Sequence, residues 1–501
     1  MKLYNTATRQ KEEFNPINEK KVGIYSCGPT VYSSPHIGNM YSYVCWDVLV
    51  RTLNYLGYGT DWVMNITDVG HLTSDADSGE DKFVKQSKKL YIECKKCKEY
   101  ILLGGATEIP KFLNCVINCS NCGFETTFNT EDVKHIKNLT VWEIAKKYEV
   151  EFMENLKALN INVPNEMPRA TENIQEQIDL IKKIEANGFT YKTSDGIYYD
   201  TSKFVDYGKF ANLNLEKIKE GARVEVNEEK KNPTDFALWK FSPTDEKRQM
   251  EWESPWGMGF PGWHIECTAM STKILGETFD IHTGGEDHIP VHHTNEIAQA
   301  MAAFGHNTAN YWMHNAFITF KGSKISKSSG GLYTVKDLMD LGYDPMVFRY
   351  MVLSSNYRKG IEFSLDSLKV AEINLNKLRS YRVEENGIVN EEIKKEFVEK
   401  ISDDLSMPEA LAIVWKVAKS DLDSNNKWAT LLDFDKVLGL KLDEEVKEEA
   451  IPEEIIKLAQ EREKARQNKD WGESDRLRGV IKDKGYLVED LKDQCKIRKL
   501  K

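Results

Sequence analysis

Cys27 and His36 stand nine positions apart in the run Cys27-Gly28-Pro29-Thr30-Val31-Tyr32-Ser33-Ser34-Pro35-His36-Ile37-Gly38-Asn39. A strand end, a Gly/Pro turn and a helix start aim backbone N–H groups and an imidazole at a point where a nucleotide phosphate can sit, with a thiol at the same strand end. Far downstream lies a partner motif, Lys324-Ile325-Ser326-Lys327-Ser328. Between them Gly262-Trp263-His264-Ile265-Glu266-Cys267 is followed by Gly284-Gly285-Glu286-Asp287 and by His292-His293-Thr294-Asn295-Glu296. If Pro290 opens a helix, His292 and Glu296 share a face at i, i+4, and His293 and Glu296 fit at i, i+3. Two strand-end cysteines, Cys27 and Cys267, with a helical His/Glu pair make a zinc donor set; spacing leaves the choice of histidine open. A separate pair of C-x-x-C knuckles, Cys94/Cys97 and Cys119/Cys122, has the separation of a four-cysteine structural zinc ribbon. Cys115 and His135 lie close enough in sequence to be alternative ligands there.

The elements that must carry these groups follow from periodicity. Val22 to Ser26 reads as a buried strand, Asn39 to Leu56 as a helix, and a second strand ends at Asn65-Ile66-Thr67-Asp68. Residues 86–133 break the pattern and read as an insertion. Helices are expected over Val141–Leu159 and Ile174–Ala186, short strands near Gly196–Tyr199, and a connective module around 191–255. The α/β pattern resumes at Gly262–Cys267 and Phe279–His282, and beyond about residue 365 the spacing is helical with few strand signals. Strands alternating with helices imply a parallel sheet with its ligand site at the carboxyl edge.

At 501 residues the chain exceeds one hydrophobic core, and 41% hydrophobic content with 10% aromatics is that of a globular protein. No apolar run is long enough for a membrane span and Met1-Lys2-Leu3-Tyr4-Asn5 lacks a signal-peptide core, so a cytoplasmic protein is expected. The net charge of −11 argues against a general polyanion binder and leaves room for a specific RNA partner through local basic patches. One such patch runs from Lys82 to Lys98 and another closes the chain at Lys496–Lys501. Nine cysteines in a cytoplasmic chain point to metal rather than disulfides; Cys45 and Cys495 read as ordinary thiols.

His36-Ile37-Gly38-Asn39 and Lys324–Ser328, in that order, resemble the paired HIGH and KMSKS nucleotide motifs of class I aminoacyl-tRNA synthetases. With Cys27, Cys267, His292 and Glu296 the chain resembles the cysteinyl-tRNA synthetase family from Lys21 to about Asp490, including Asn65–Asp68, Pro168–Glu172, Gly221–Val224, Asp235–Lys240 and Asp280–His282. The resemblance selects His292 over His293. It implies an α/β fold: a Rossmann-like parallel-sheet catalytic domain over 1–85, 134–190 and 256–318, the zinc-ribbon insertion at 86–133, the connective module at 191–255, a stem-contact region at 319–365, a helical anticodon-binding bundle at 366–445 and an anticodon-reading unit at 446–501.

The resemblance further implies ATP-dependent joining of L-cysteine to tRNA(Cys) through an adenylate, with Mg²⁺ accompanying ATP and one active-site zinc reading the thiol. Cysteine and serine are nearly isosteric, and a small pocket separates such pairs weakly; zinc prefers the soft thiolate. His36 and Lys327, then Lys324, would stabilise phosphate charge. Gly38 would admit the nucleotide, with Asn39 beside it; Gly284, Gly285 and Asp287 would frame the adenosine. Trp263 would wall the amino-acid pocket and Thr67 would line it. Arg466, Asp475 and Asp490 match anticodon-reading positions, and Trp471 is placed for packing or base stacking. Asn39 replaces the second His of HIGH, Ala316 stands where the family usually has Gly, and Asn356 replaces its usual His before Tyr357. A monomer is expected. The competing activities are the cysteine ligase of mycothiol biosynthesis, which has no anticodon to read, methionyl-tRNA synthetase, which Cys27, Cys267 and His292 argue against, and a non-catalytic RNA-binding relative.

Overall fold

The computed structural model describes residues 1–70, 81–105, 109–113, 115–119, 122, 124–213, 229–243, 247–320, 332–444, 452–468, 470–490 and 495–499. It divides into two units, residues 1–335 with 345–442, and residues 336–344 with 443–501.

In the larger unit a central sheet is built from four runs that are apolar enough to be buried on both faces. β1 (Val22–Ser26), α1 (Ile37–Tyr55), β2 (Thr60–Met64), α2 (Trp263–Leu275), β3 (Phe279–Gly285), α3 (Thr294–Phe304) and β4 (Ala309–Asn315) follow in that order. All residues of β1 and β3 are buried, as expected for parallel strands covered by helices. The strand order is β4-β3-β1-β2, all parallel. The crevice at the carboxyl ends of β1 and β3 is where such sheets receive ligands. Ser26 Oγ, Thr283 Oγ1 and Trp62 Nε1 tie three of the strands together in the interior at 2.7 and 2.9 Å.

Helix Ile174–Ala186 closes one face of this unit. Its Ile178, Ile181 and Ile184 pack with Leu238, Trp239, Ile265, Ala298 and Ala302. The connective segment is a four-stranded antiparallel sheet of Thr190–Lys192, Gly196–Tyr199, Phe236–Phe241 and Gly259–Pro261. Four helices, Leu365–Arg379, Glu391–Ile401, Met407–Lys419 and Ser424–Leu438, form the expected bundle, with Phe397 stacked on Phe434 at 4.0 Å.

The insertion folds as a three-stranded sheet, Leu90–Glu93 between Tyr100–Gly104 and Ile136–Asn138, plus a hairpin of Val116–Asn118 with Glu125–Thr127. Ile92, Leu103, Ile117 and Phe128 give it a small core of its own, and its sheet runs on to Asn138.

Two expectations need correction. Cys267 is not at a strand end but in the second turn of α2. That helix is buried nearly all round over His264–Ser271, and a helix without a polar face shows no period to read. The chain also ends in a strand pair, Tyr486–Asp490 with Cys495–Lys499, where the sequence reads as helix followed by a charged tail. In Lys496-Ile497-Arg498 the single apolar residue packs against the core of the smaller unit. That unit contains helices Glu453–Gln467 and Trp471–Asp483 around Ile455, Ala459, Ile481 and Val488.

The β1–α1 turn has no slack. Gly28 N donates to Asn65 Oδ1 at 2.8 Å, and a Cβ on Gly28 would lie 1.6 Å from Asn65 O. Gly28→Ala is therefore expected to force the turns after β1 and β2 apart and to cost on the order of 3 kcal/mol. An unchanged denaturation midpoint would contradict this packing.

Candidate active site and metal centres

The described residues assigned to the nucleotide and to the active-site zinc sit at the carboxyl edge of the sheet or on the helical segments beside it. A cleft of about 550 Å³ is lined by Cys27, Gly28, His36, Gly38, Asn39, Trp263, Gly284, Gly285, Asp287 and His292. His36 is the N-cap of α1: its ring accepts the Asn39 N–H at 3.3 Å, and the Asn39 side chain accepts the His36 N–H at 3.1 Å. This reciprocal cap holds two otherwise unpaired donors and gives Asn39 a role that its place in the motif did not reveal. Because Nδ1 is the acceptor, the neutral ring carries its proton on Nε2. Burial holds His36 below its ordinary value, so at neutral pH it is a hydrogen-bond donor rather than a cation. Gly38 has a reason inside the chain: a Cβ there would sit 2.9 Å from the His36 ring.

Lys324 and Lys327 lie outside the described residues, as does Gly221–Val224. The chain beyond the Lys324–Ser328 motif is nevertheless fixed beside His36. Ile37 N donates to Tyr333 O at 2.8 Å, and His36 bridges Thr334. Tyr333 and Thr334, hundreds of residues from His36 in sequence, thus lie against the start of α1.

Behind the cleft, ligand atoms of Cys27, Cys267, His292 and Glu296 all lie within 4.8 Å of one another. Cys27 follows β1, Cys267 comes from α2, and both His292 and Glu296 come from the segment after β3. A π-helical turn over Ile289–His293 precedes α3, and its wider winding turns both His292 and His293 into the interior, where they are 2% and 0% exposed. Geometry alone leaves a second set, Cys27, His282, His293 and Glu296, at the same spacing.

Donor chemistry separates the two. The first offers two sulfurs, one imidazole and one carboxylate, a soft set suited to zinc. In the second, His293 is engaged by His314 at 2.7 Å and by Cys27 Sγ at 3.2 Å. His282 holds Glu296 Oε2 at 2.9 Å. The other oxygen, Oε1, is buried without a hydrogen bond and faces His292 Nε2 at 3.1 Å. His292 Nδ1 meets His264 Nδ1 at 2.9 Å, which leaves Nε2 as the ligating atom. His264 and His282 thus hold two of the four residues that could bind a metal, His292 and Glu296, as outer partners in metal sites do. Neither had a role in the sequence reading; the only signal was a histidine within each of two apolar runs.

The electrostatics agree. Burial pushes the Cys27 thiol up, while its hydrogen bond draws Cys267 down to about 6. Burial opposes ionisation of Glu296, but His282 and His292 outweigh it and hold the carboxyl well below the usual range. His292 is raised to about 10, against its own burial, by Glu296 and Cys267. The site is shaped to stabilise positive charge among anions. The residues fit a zinc ion.

Trp263 packs its ring 4.4 Å from that of His292. Thr67 is buried, accepting from Asn65 at 3.1 Å and donating to Glu266 at 3.0 Å, and is not among the residues that line the cleft. Gly284 and Gly285 make room for neighbours, since a Cβ would lie 2.7 Å from the His288 and His293 rings or 2.3 Å from Asp287 Oδ1.

Cys94, Cys97, Cys119 and Cys122 form a second group within 4.8 Å. Cys94 lies 3.7 Å from Cys122 and Cys97 3.5 Å from Cys119, close to the sulfur–sulfur edge of roughly 3.8 Å implied by tetrahedral Zn–S bonds of about 2.3 Å. Burial opposes ionisation of Cys94, yet the backbone N–H groups of Cys97 and Lys96 prevail and bring it to about 6. Cys115 is exposed and donates to Lys111 O; among the described residues neither it nor His135 joins the group.

In the smaller unit Trp471 is 61% exposed, so core packing is not its role. Asp475 is exposed and Arg466 half-buried, while the Asp490 side chain lies outside the described residues.

Residues 13–373 match the family model described as tRNA synthetases class I (C) catalytic domain, and residues 448–498 match that of the cysteinyl-tRNA ligase anticodon binding domain. The chain is 42% identical to cysteine–tRNA ligase 1 of Burkholderia lata, over 97% of this chain and 94% of that one. It is 39% identical to the cysteine–tRNA ligase of Treponema denticola, over the full length of both. Among solved structures, the methionyl-tRNA synthetase of Mycobacterium tuberculosis with methionyl-adenylate superposes with a TM-score of 0.52 at 14% identity, over 84% of this chain and 90% of that one. That likeness is one of fold. Among the described residues no helix is long and apolar enough to cross a membrane.

Metal analysis of the purified chain is expected to give two zinc ions, one per cluster. Cys267→Ser should retain only one, because a hydroxyl is a poor zinc ligand at neutral pH. Two ions retained in that variant would remove Cys267 from the metal site.

Proposed function

The chain belongs to the cysteine–tRNA ligase family of class I synthetases, and on that premise we propose that it joins L-cysteine to tRNA(Cys) at the expense of ATP. The observation that carries the substrate is the Cys27, Cys267, His292 and Glu296 donor set at the floor of the cleft. Zinc held there supplies a soft Lewis acid that favours a substrate thiolate over serine's hydroxyl. Trp263 covers the pocket, and the Asn65–Thr67–Glu266 chain of hydrogen bonds holds Thr67 in place.

The substrate carboxylate attacks the α-phosphate of ATP, giving cysteinyl-adenylate and pyrophosphate; the adenylate then passes to the terminal ribose of the tRNA. Positioning and charge stabilisation carry both steps. His36 donates from Nε2 to a phosphate oxygen, and Lys327, with Lys324, neutralises charge as the phosphates reorganise. Gly284, Gly285 and Asp287 frame the adenosine, with Asp287 near the ribose, and Mg²⁺ accompanies ATP. Arg466, Trp471, Asp475 and Asp490 read the anticodon, Trp471 by stacking.

The ribbon is assigned to the acceptor arm of the tRNA. It emerges between helices Lys82–Ser87 and Val141–Ala158, and Lys82, Tyr148 and Phe152 of those helices line the cleft. Lys95 and Lys98 are already paired with Asp132 and Glu93, which leaves the basic patch smaller than the sequence suggests.

Amino-acid-dependent ATP–pyrophosphate exchange across all twenty amino acids tests the reading: cysteine alone should support it strongly. Lys327→Ala should slow adenylate formation about 100-fold or more without weakening tRNA binding. An unchanged activation rate would move Lys327 to RNA contact. Replacing residues 90–138 by a short Gly/Ser linker should leave exchange near wild type and raise the Michaelis constant for tRNA about tenfold, an effect that shrinks as salt rises. Identical charging by both proteins across a salt titration would remove the ribbon from RNA binding.

A further inference from the structure

Arg349 has no exposed surface, lies outside both metal clusters and the cleft, and has no part in the chemistry above. It belongs to helix α4 (Pro345–Leu353), and its guanidinium makes four hydrogen bonds. Nη2 pairs with Asp47 Oδ2 at 2.5 Å, on α1. Nε donates to Leu438 O at 2.7 Å, the last residue of helix α5 (Ser424–Leu438). Nη1 donates to Leu159 O and Asn160 O at 3.1 and 3.2 Å. One planar fork thus joins the nucleotide-site helix, the end of helix Val141–Ala158 and the end of the anticodon bundle.

The surroundings are built for that fork. Arg51 pairs with the same Asp47 oxygen at 2.7 Å and donates to Asn160 O at 2.7 Å. Gly439, at φ +62°, ends α5 with its backbone against the guanidinium: a Cβ there would lie 2.7 Å from Arg349 Nη2. Leu438 O is a helix-end carbonyl, where a cation is favoured by the exposed acceptors and the dipole. A buried ion pair contributes little net stability compared with apolar packing, whereas four directional bonds to three elements fix an angle. Asp47 stands eleven residues, about 16 Å, along α1 from His36.

We propose that Arg349 is a positioning residue which sets the anticodon bundle at a fixed angle to α1, so that a tRNA held by the bundle delivers its terminal ribose to the adenylate. The inference rests on the reading of the chain as a tRNA-charging enzyme. It separates the two half-reactions: activation uses only the cleft, whereas transfer also needs the bundle in register.

The test uses the full chain with Arg349→Lys, which keeps the charge but not the fork, and with Gly439→Ala, which presses on the fork from the other side. In both, cysteine-dependent pyrophosphate exchange should stay within about twofold of wild type. The turnover number for charging at saturating tRNA should fall about tenfold to a hundredfold, as expected of a misplaced substrate. The two substitutions together should cost no more than the worse one alone, because they act on one contact. A parallel fall of exchange and charging would overturn the proposal in favour of general support of the catalytic domain. Wild-type charging in folded variants with lowered melting temperature would overturn it in favour of stability alone. Failure of wild type itself to charge tRNA(Cys) would instead remove the functional reading.

Discussion

Glu296 puts a carboxylate in the interior, 2% exposed, and a buried unpaired charge is among the most costly features a fold can hold. Much of the catalytic domain's interior is arranged around that fact. His282 takes one oxygen, His292 and the two cysteines gather at the other, and His264 steadies His292 from behind. These rings need space that side chains elsewhere must surrender: Gly284 lacks a Cβ where His288 and His293 stand. The His282 ring in turn stacks on Trp312 at 4.4 Å, so the last strand of the sheet is fitted to a ring that exists to hold a carboxylate. A change of one partner therefore propagates further than its own contact, because the charge it compensates stays behind.

Much of this was legible in the sequence. Residues that bring their own chemistry, such as Cys27, His36, Cys267 and Glu296, announce themselves by type and spacing, and the four-cysteine group did so by spacing alone; His292 was told from His293 only by the family resemblance. The parallel strands were readable because a strand covered on both faces is a continuous apolar run. What escaped had no local pattern. Cys267 sits on a helix with no polar side, so its period vanished. Asn39 was visible as a departure from a motif but not as the reciprocal cap of His36. His264 and His282 act only through contacts 28 and 14 residues away along the chain, a relation that only the folded molecule contains. The terminal strand pair was masked by lysines and arginines, which suggest a tail until Ile497 is seen to face a core.

The likeness to a methionyl-tRNA synthetase fold at 14% identity separates scaffold from selectivity. On the proposed reading the parallel sheet, the crevice beside β1 and the capped helix serve the nucleotide half of the reaction, which is the same whatever amino acid is activated. On the same reading the choice of amino acid falls to four side chains, drawn from three separate elements, whose ligand atoms meet beside that crevice. Fold alone does not choose a substrate; on that reading the identity of atoms within 4.8 Å of each other does.

The insertion leaves and re-enters the catalytic domain as neighbouring antiparallel strands, Leu90–Glu93 beside Ile136–Asn138. Its two ends are therefore already side by side before any of its interior is considered. A segment attached in this way can be gained, lost or exchanged in the history of a lineage without re-threading the host, because the gap it leaves is one hairpin turn wide. Its own core and its own four sulfurs mean that it can drift in sequence under a separate set of constraints from those on the enzyme that carries it.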